Sequence, residues 1–220
     1  MKKVVYRDDI VEYQEFFSKE ECKNLIEHFN SSAELWDDTC FYNAAVMFPL
    51  APENSPHQHL NHDYFENLKS TLANLSKDVF DKDVRNLTLS AHKWNVGAYA
   101  RDHADNAELD GTPNAWQENK FVTIIYLNED YEGGQLYFRD HDLYISPKEG
   151  SVVVFDVGIN NVHGVTEVTS GERYTMLLSW DFTDSVYPEE FYIQRDLEKR
   201  LLEEGREKQR EEWAKGNKFA

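Results

Sequence analysis

The run Phe121-Val-Thr-Ile-Ile-Tyr-Leu-Asn-Glu-Asp-Tyr-Glu-Gly-Gly-Gln-Leu-Tyr-Phe138 reads as strand, turn and strand. Residues 121–127 are apolar and β-branched, Gly133-Gly134 interrupts them, and 135–138 resumes an apolar segment. The same grammar recurs on both sides. Short alternating or β-branched runs occupy 87–96, 99–105, 142–145, 151–156, 164–168 and 174–182, with Lys148-Glu149-Gly150 as a further turn. About eight strands between turn signals predict a jelly roll or barrel, because alternating βαβ units would need helices between them.

The flanks differ in kind. Residues 1–82 read as a support belonging to the same domain as a β core at 83–186, with strands at 4–6 and 10–16. Ser18-Lys-Glu-Glu21 has capping-box spacing and opens a helix carrying Cys22, Leu25, Ile26 and Phe29 on one side. A second helix runs from about 61 to 80 with Phe65, Leu68, Leu72, Leu75 and Val79 as its apolar stripe. Pro49, Pro52 and Pro56 make the segment between them a loop. Residues 187–220 form a charged tail, a helix from Pro188 broken near Gly205. It is expected to pack Phe191, Leu197, Leu201 and Leu202 on the domain; a dimerisation helix is the competing reading, so monomer and homodimer both stand. The fold class is thus α+β, a jelly-roll core with N-terminal supporting helices and a C-terminal charged helix.

Composition narrows the partners. The 220 residues carry a formal charge of −18, a surface that repels phosphate backbones and argues against nucleic acid. No apolar run approaches the roughly 18–20 residues that span a bilayer. The N-terminus lacks the apolar core of a signal peptide, so cytoplasmic residence is expected. Cys22 and Cys40 lack metal or redox spacing and read as free thiols.

Chemistry enters with His103-Ala-Asp105, followed by His163 and, ten residues later, Arg173. In a strand, residues i and i+2 share a face, so His103 and Asp105 project together. A third ligand from a distant strand would complete a two-histidine, one-carboxylate facial set with open positions. Taken alone, His-x-Asp is also what a surface pair in a polar loop looks like, since the chain has eight histidines. Arg173 offers a permanently charged fork to a carboxylate; read alone, it is equally a surface arginine after a Gly-Glu turn.

Four segments resemble those of prolyl 4-hydroxylases in the Fe(II)/2-oxoglutarate dioxygenase superfamily. They are Trp94 to Asp105, Tyr126-Leu-Asn through Gly133-Gly134 to Phe138, Pro147 to Phe155, and His163-Gly-Val-Thr-Glu-Val-Thr-Ser-Gly-Glu-Arg173. The resemblance spans about 86–182 in the correct order. It implies a double-stranded β-helix in which His103, Asp105 and His163 ligate Fe(II) and Arg173 binds 2-oxoglutarate. It further implies O₂ as oxidant, succinate and CO₂ as co-products, ascorbate as a reductant, and hydroxylation of a prolyl residue in a peptide or protein. A carboxylate at Asp105 fits hydroxylation and argues against a halogenase.

Several neighbours bear on the same site. Tyr126 stands where a tyrosine hydroxyl often helps hold the same carboxylate, with a core tyrosine as the other reading. Thr175 shares a face with Arg173 and can add a hydroxyl. The family's tyrosine three residues before the first metal histidine is replaced by Ala100; Tyr99 reaches the pocket by alternation or by a one-residue bulge. Where the family carries an arginine before the Tyr126 strand, Asn119 and Lys120 stand here. The loop 106–119 is expected to close over substrate with Trp116 as an apolar contact. His57, His59 and His62 lack a ligand partner set and read as loop or helix-start residues, and His28, His92 and His141 as structural. Three alternatives stay open. One is an oxygenase acting on a free amino acid or other small molecule. Another is a nucleic-acid demethylase, disfavoured because Ser179 replaces its second arginine. The third is a non-enzymatic jelly-roll module that binds metal.

Overall fold

The structure is a computed structural model describing residues 1–37, 44–47, 50–193, 195–197, 200–201 and 204–205. In chain order it contains β1 (Lys2–Arg7), β2 (Ile10–Gln14), α1 (Lys19–Asn30), β3 (Trp36–Asp37), β4 (Ala44–Met47), α2 (His62–Phe80), β5 (Val84–Trp94), β6 (Ala100–His103) and β7 (Phe121–Tyr126). Then follow β8 (Glu132–Gly133), β9 (Leu136–Phe138), β10 (Leu143–Ile145), β11 (Val152–Asp156), β12 (His163–Val165), β13 (Val168–Ser170) and β14 (Arg173–Phe182).

The strands assemble into a large sheet ordered β1-β2-β11-β7-β14-β5-β4-β3 and a smaller one ordered β10-β9-β12-β6, with β13-β8 as a separate pair. Alternation assigns each side chain of the large sheet to one of two cores. Tyr174, Met176, Leu178 and Trp180 of β14 join Phe121 and Ile125 of β7 and Val152 and Val154 of β11 on the helix-facing side. There they meet Cys22, Leu25 and Phe29 of α1 and Phe65, Leu68, Leu72 and Leu75 of α2. On the opposite face Val122, Ile124 and Tyr126 of β7 and Val153 and Phe155 of β11 pack against Leu136, Phe138 and Ile145 of the small sheet. Arg173 and Thr175 therefore point into the space between the sheets. This is the jelly-roll core with N-terminal supporting helices that the strand pattern predicts.

Local signals set the helix ends. Ser18 accepts from the Glu21 amide while the Glu21 carboxylate accepts from the Ser18 amide, the capping box read from sequence. Asn61 caps α2, whose first residue is His62, and α2 ends on Asp81 in the left-handed region.

Three expectations change. The inter-helix segment is not all loop, because Ala44–Met47 pairs antiparallel with β5 and extends the large sheet. A four-residue Ala-Ala-Val-Met run has too few alternations to announce a strand. The strand expected at 164–168 is two, β12 and β13, in different sheets. Residues 189–193 and 195–197 are helical, but only Phe191 of the expected apolar contacts is buried; Leu197 and Leu201 are 47% and 56% exposed. Leu202 and Cys40 lie outside the described residues, and Cys22 is a buried free thiol. Among the described residues no helix is long and apolar enough to cross a membrane.

Candidate metal centre

The smaller sheet brings two distant histidines together. His163 on β12 lies directly opposite His103 on β6, and their rings are 4.3 Å apart. Asp105 follows β6 and is held by its amide, which donates to the Val157 carbonyl at 3.0 Å. One carboxylate oxygen, Oδ1, lies 3.3 Å from His103 Nε2 and 3.6 Å from His163 Nε2. One donor atom from each of the three residues falls within 4.8 Å of the other two.

The imidazoles are oriented for ligation. His103 Nδ1 lies 2.7 Å from the Arg101 carbonyl and His163 Nδ1 lies 2.9 Å from the Asn161 carbonyl. A carbonyl only accepts, so each Nδ1 donates its proton there, which leaves Nε2 as the nitrogen each imidazole can offer a metal. Burial, then the nearby His103, pushes His163 down to about 4, which keeps it neutral. For His103, burial opposes the charged form, but the Asp105 hydrogen bond and charge outweigh it and the pKa rises. Burial likewise opposes the Asp105 carboxylate; its bond to His103 and both histidines prevail, and its pKa falls. Two imidazoles offering Nε2 and a carboxylate are a donor set that fits a divalent first-row metal with open coordination positions.

Asn119 completes the carboxylate's surroundings. Its Nδ2 donates to Asp105 Oδ2 at 3.1 Å, leaving Oδ1 for the histidine side. Asn114 Nδ2 donates to the Asp105 carbonyl and Asn106 Nδ2 to the Asn119 carbonyl. The loop expected as a lid is thus built around Asp105. Replacing Asn119 by alanine is expected to weaken metal binding by roughly tenfold to a hundredfold, as loss of an outer-shell partner does. A Mn(II) titration followed calorimetrically measures this, and unchanged affinity would count against the role.

A second polar centre lies deeper between the sheets. Arg173 is 1% exposed, and its guanidinium lies 5.0 Å from the rings of both Trp94 and Tyr126. Among the described residues its Nε and Nη1 and the Tyr126 hydroxyl are buried without hydrogen-bond partners. Thr175, directly opposite Tyr126 on β7 and His92 on β5, accepts from Trp94 Nε1 at 3.3 Å. His92 is pushed down to about 4 by burial and then by the charge of Arg173. A buried cation without an anionic partner is costly, so this constellation fits a bound carboxylate. Trp94 joins the two centres, packing with Ala100 of β6 and Val165 of β12 in one cluster.

Tyr99 stands apart. It lines a groove with Ala100, Arg101, Asp102 and Tyr137, and of these Ala100 is also packed in a cluster with Trp94. The pairs His163↔His103 and Val165↔Ala100 reveal an irregularity at this point of β6, which breaks the alternation placing Tyr99 and His103 on one face. The structure brings His103, Asp105 and His163 together, and groups Arg173, Tyr126 and Thr175, but does not join Tyr99 to either. Trp94 and Asn119 were missed as site residues. A buried aromatic beside Arg173 is invisible without cross-strand register, and an asparagine in a loop carries no spacing signal.

Gly164 lets β12 approach β6 beside the histidine pair. A Cβ there would collide with the Tyr137 hydroxyl and lie 2.6 Å from the Ala100 carbonyl oxygen. Tyr137 is anchored by donating to Asp102 at 2.7 Å, so it cannot simply swing away. Gly164→Ala is expected to cost about 1–3 kcal/mol by overpacking and to lower metal affinity by spreading His103 from His163. Thermal melting with and without Mn(II) reads both effects.

A two-histidine, one-carboxylate group between the sheets of a double-stranded β-helix, above a buried arginine, defines the class. Residues 89–180 match the model of the 2OG-Fe(II) oxygenase superfamily. Among curated proteins, prolyl 3-hydroxylase 2 of Rattus norvegicus is 37% identical over an alignment covering 43% of this chain and 15% of that protein. The chain therefore spans about 15% of the length of such relatives. Among solved structures, a prolyl-4-hydroxylase from Pseudomonas putida aligns with a TM-score of 0.59 at 18% identity, covering 79% of this chain and 92% of that one. The viral collagen prolyl hydroxylase of Paramecium Bursaria Chlorella virus-1 gives 0.58 at 18% identity, covering 80% and 96%. These likenesses establish the fold.

Proposed function

We propose that the chain is an Fe(II)/2-oxoglutarate-dependent dioxygenase that hydroxylates a prolyl residue in a peptide or protein. The carrying observation is the buried guanidinium of Arg173 against Trp94 and Tyr126, whose Nε and Nη1 lack partners among the described residues, in the same inter-sheet space as the His103–Asp105–His163 group. Prolyl hydroxylases recur among both sequence relatives and structural neighbours, which supports the substrate class.

His103, Asp105 and His163 would hold the iron through Nε2, a carboxylate oxygen and Nε2. Bound together, iron and 2-oxoglutarate supply the oxidising chemistry that couples O₂ and decarboxylation to succinate and CO₂ with hydroxylation of a C–H bond. Arg173 would receive the distal carboxylate of 2-oxoglutarate as a fork, with the Tyr126 hydroxyl donating beside it and Thr175 offering a further hydroxyl. Burial raises the Tyr126 phenol to about 12 although Arg173 opposes the rise, so it remains a donor at neutral pH. Phe138 and Phe155 pack on the His163 ring and exclude water from that side of the metal. Asn119 and Asn114 fix Asp105 while the 106–119 loop closes over substrate.

The test uses the Fe(II)-loaded chain with 2-oxoglutarate, O₂ and ascorbate as reductant. Succinate should form, and a panel of proline-containing peptides should yield a product heavier by one oxygen atom. No succinate would sink the oxygenase reading. Succinate without any hydroxylated peptide, but with hydroxylated free amino acid, would move the substrate to a small molecule.

A further inference from the structure

Asp9 lies in the turn between β1 and β2, outside residues 89–180, yet its side chain reaches the supports of His163. Its carbonyl accepts from the Asp156 amide at 3.2 Å, beside the pairing of Ile10 with Phe155, so the turn is seated on the end of β11. Its carboxylate is divided. Oδ1 faces Arg7 Nε at 3.5 Å, and Oδ2 accepts from Asn161 Nδ2 at 2.8 Å.

Asn161 is 1% exposed and closes the single helical turn Ile159–Asn161 that leads the chain to His163. Its side chain is anchored on three sides. Nδ2 donates to Asp9 and, at 3.1 Å, to the Asp156 carbonyl, while Oδ1 lies 2.8 Å from His141 Nε2. A carboxylate and a carbonyl only accept, so the amide can face one way only, and His141 donates to its oxygen. An aspartate at this position would offer Asp9 no donor. The backbone carbonyl of the residue held in this manner is the one that accepts from His163 Nδ1 at 2.9 Å.

We propose that Asp9 is a positioning residue of the metal centre: through Asn161 it fixes the carbonyl that aims the His163 ring, which makes the N-terminal hairpin part of the site. This rests on the metal site of the oxygenase reading above. The outer partner of a metal-bound histidine sets ring orientation, and its loss typically weakens binding by about tenfold to a hundredfold. Asp9 stands one residue further out, which puts its effect at the lower end. A merely structural role, tying the hairpin to β11, would lower stability and leave metal affinity alone.

The experiment titrates the full chain calorimetrically with Mn(II) and records the visible absorption of the Co(II)-loaded chain, whose bands follow ligand geometry. Asp9→Ala is expected to weaken Mn(II) binding by about tenfold and to shift the Co(II) bands. Asp9→Asn keeps an uncharged acceptor for Asn161 Nδ2, so it is expected to stay within about threefold of wild type with the bands unmoved. His141→Ala, which releases the other side of the Asn161 amide, repeats the measurement should Asp9→Ala fold poorly. Equal losses in Asp9→Ala and Asp9→Asn would assign the effect to charge rather than anchoring. A lower melting temperature with unchanged Mn(II) affinity would assign it to the hairpin's own stability. Either result overturns the proposal, while Mn(II) binding by wild type leaves the metal centre intact. Absence of Mn(II) binding by wild type overturns both.

Discussion

Arg173→Met is expected to abolish useful 2-oxoglutarate binding while making the ligand-free protein no less stable, and by up to a few kcal/mol more stable. The two effects have one origin. Arg173 is almost wholly buried, its Nε and Nη1 are unpartnered among the described residues, and the rings of Trp94 and Tyr126 lie against its charge. Cation–π contact of this kind returns about 2 kcal/mol when desolvated, which is less than the several kcal/mol that burying a guanidinium costs. Methionine fills similar volume without that cost. A bound carboxylate reverses the balance by supplying a charge-assisted bidentate pair, and its loss is worth about 3 kcal/mol, roughly two orders of magnitude in affinity. Melting curves of both chains with and without 2-oxoglutarate and Mn(II) separate the terms. Wild type should gain stability as ligand is added and the variant should not. A variant that melts several degrees lower without ligand would show that Arg173 already has a partner in the fold.

How much of this was legible beforehand follows from the range of each interaction. The strands at 121–127 and 151–156 were readable because β-branched runs between glycine turns carry a local signal. Alternation along β14 then sends Arg173 and Thr175 one way and Tyr174 and Met176 the other, as the two cores confirm. The capping box at Ser18 and the stripe of α2 are likewise local. What stayed hidden depends on pairing. Nothing in the segment before His103 announces the irregularity at Ala100–His103 that separates Tyr99 from the histidine face. Ala44–Met47 becomes a strand because β5 offers it an edge, which is a property of β5. Trp94 acquires its place under Arg173 only through the register of β14 on β5. Leu197 and Leu201 have helical spacing, yet spacing cannot say whether a surface exists for them to cover.

Asp105→Asn is expected to cost more metal affinity than any outer change, exceeding the roughly hundredfold upper range of losing an outer-shell partner, and to abolish succinate formation. The substitution keeps shape and leaves the Asn119 contact geometrically possible, so the fold should hold. What disappears is the negative charge. A histidine that ligates through Nε2 while Nδ1 keeps its proton brings no charge, so a divalent ion bound to the pair in a partly buried site would keep its full charge without Asp105. The replacement also risks turning a donor amine toward the ion, since an asparagine has one acceptor where a carboxylate has two. Asn119 Nδ2 would compete for that single oxygen, drawing it away from the histidine side where Asp105 Oδ1 now sits 3.3 Å from His103 Nε2. Restoring the pair by combining Asp105→Asn with Asn119→Ala should therefore recover some metal binding if amide orientation is part of the loss, and none if charge alone is responsible. Mn(II) calorimetry on the single and double variants reads this directly, and a single variant that binds metal like wild type would remove Asp105 from the site.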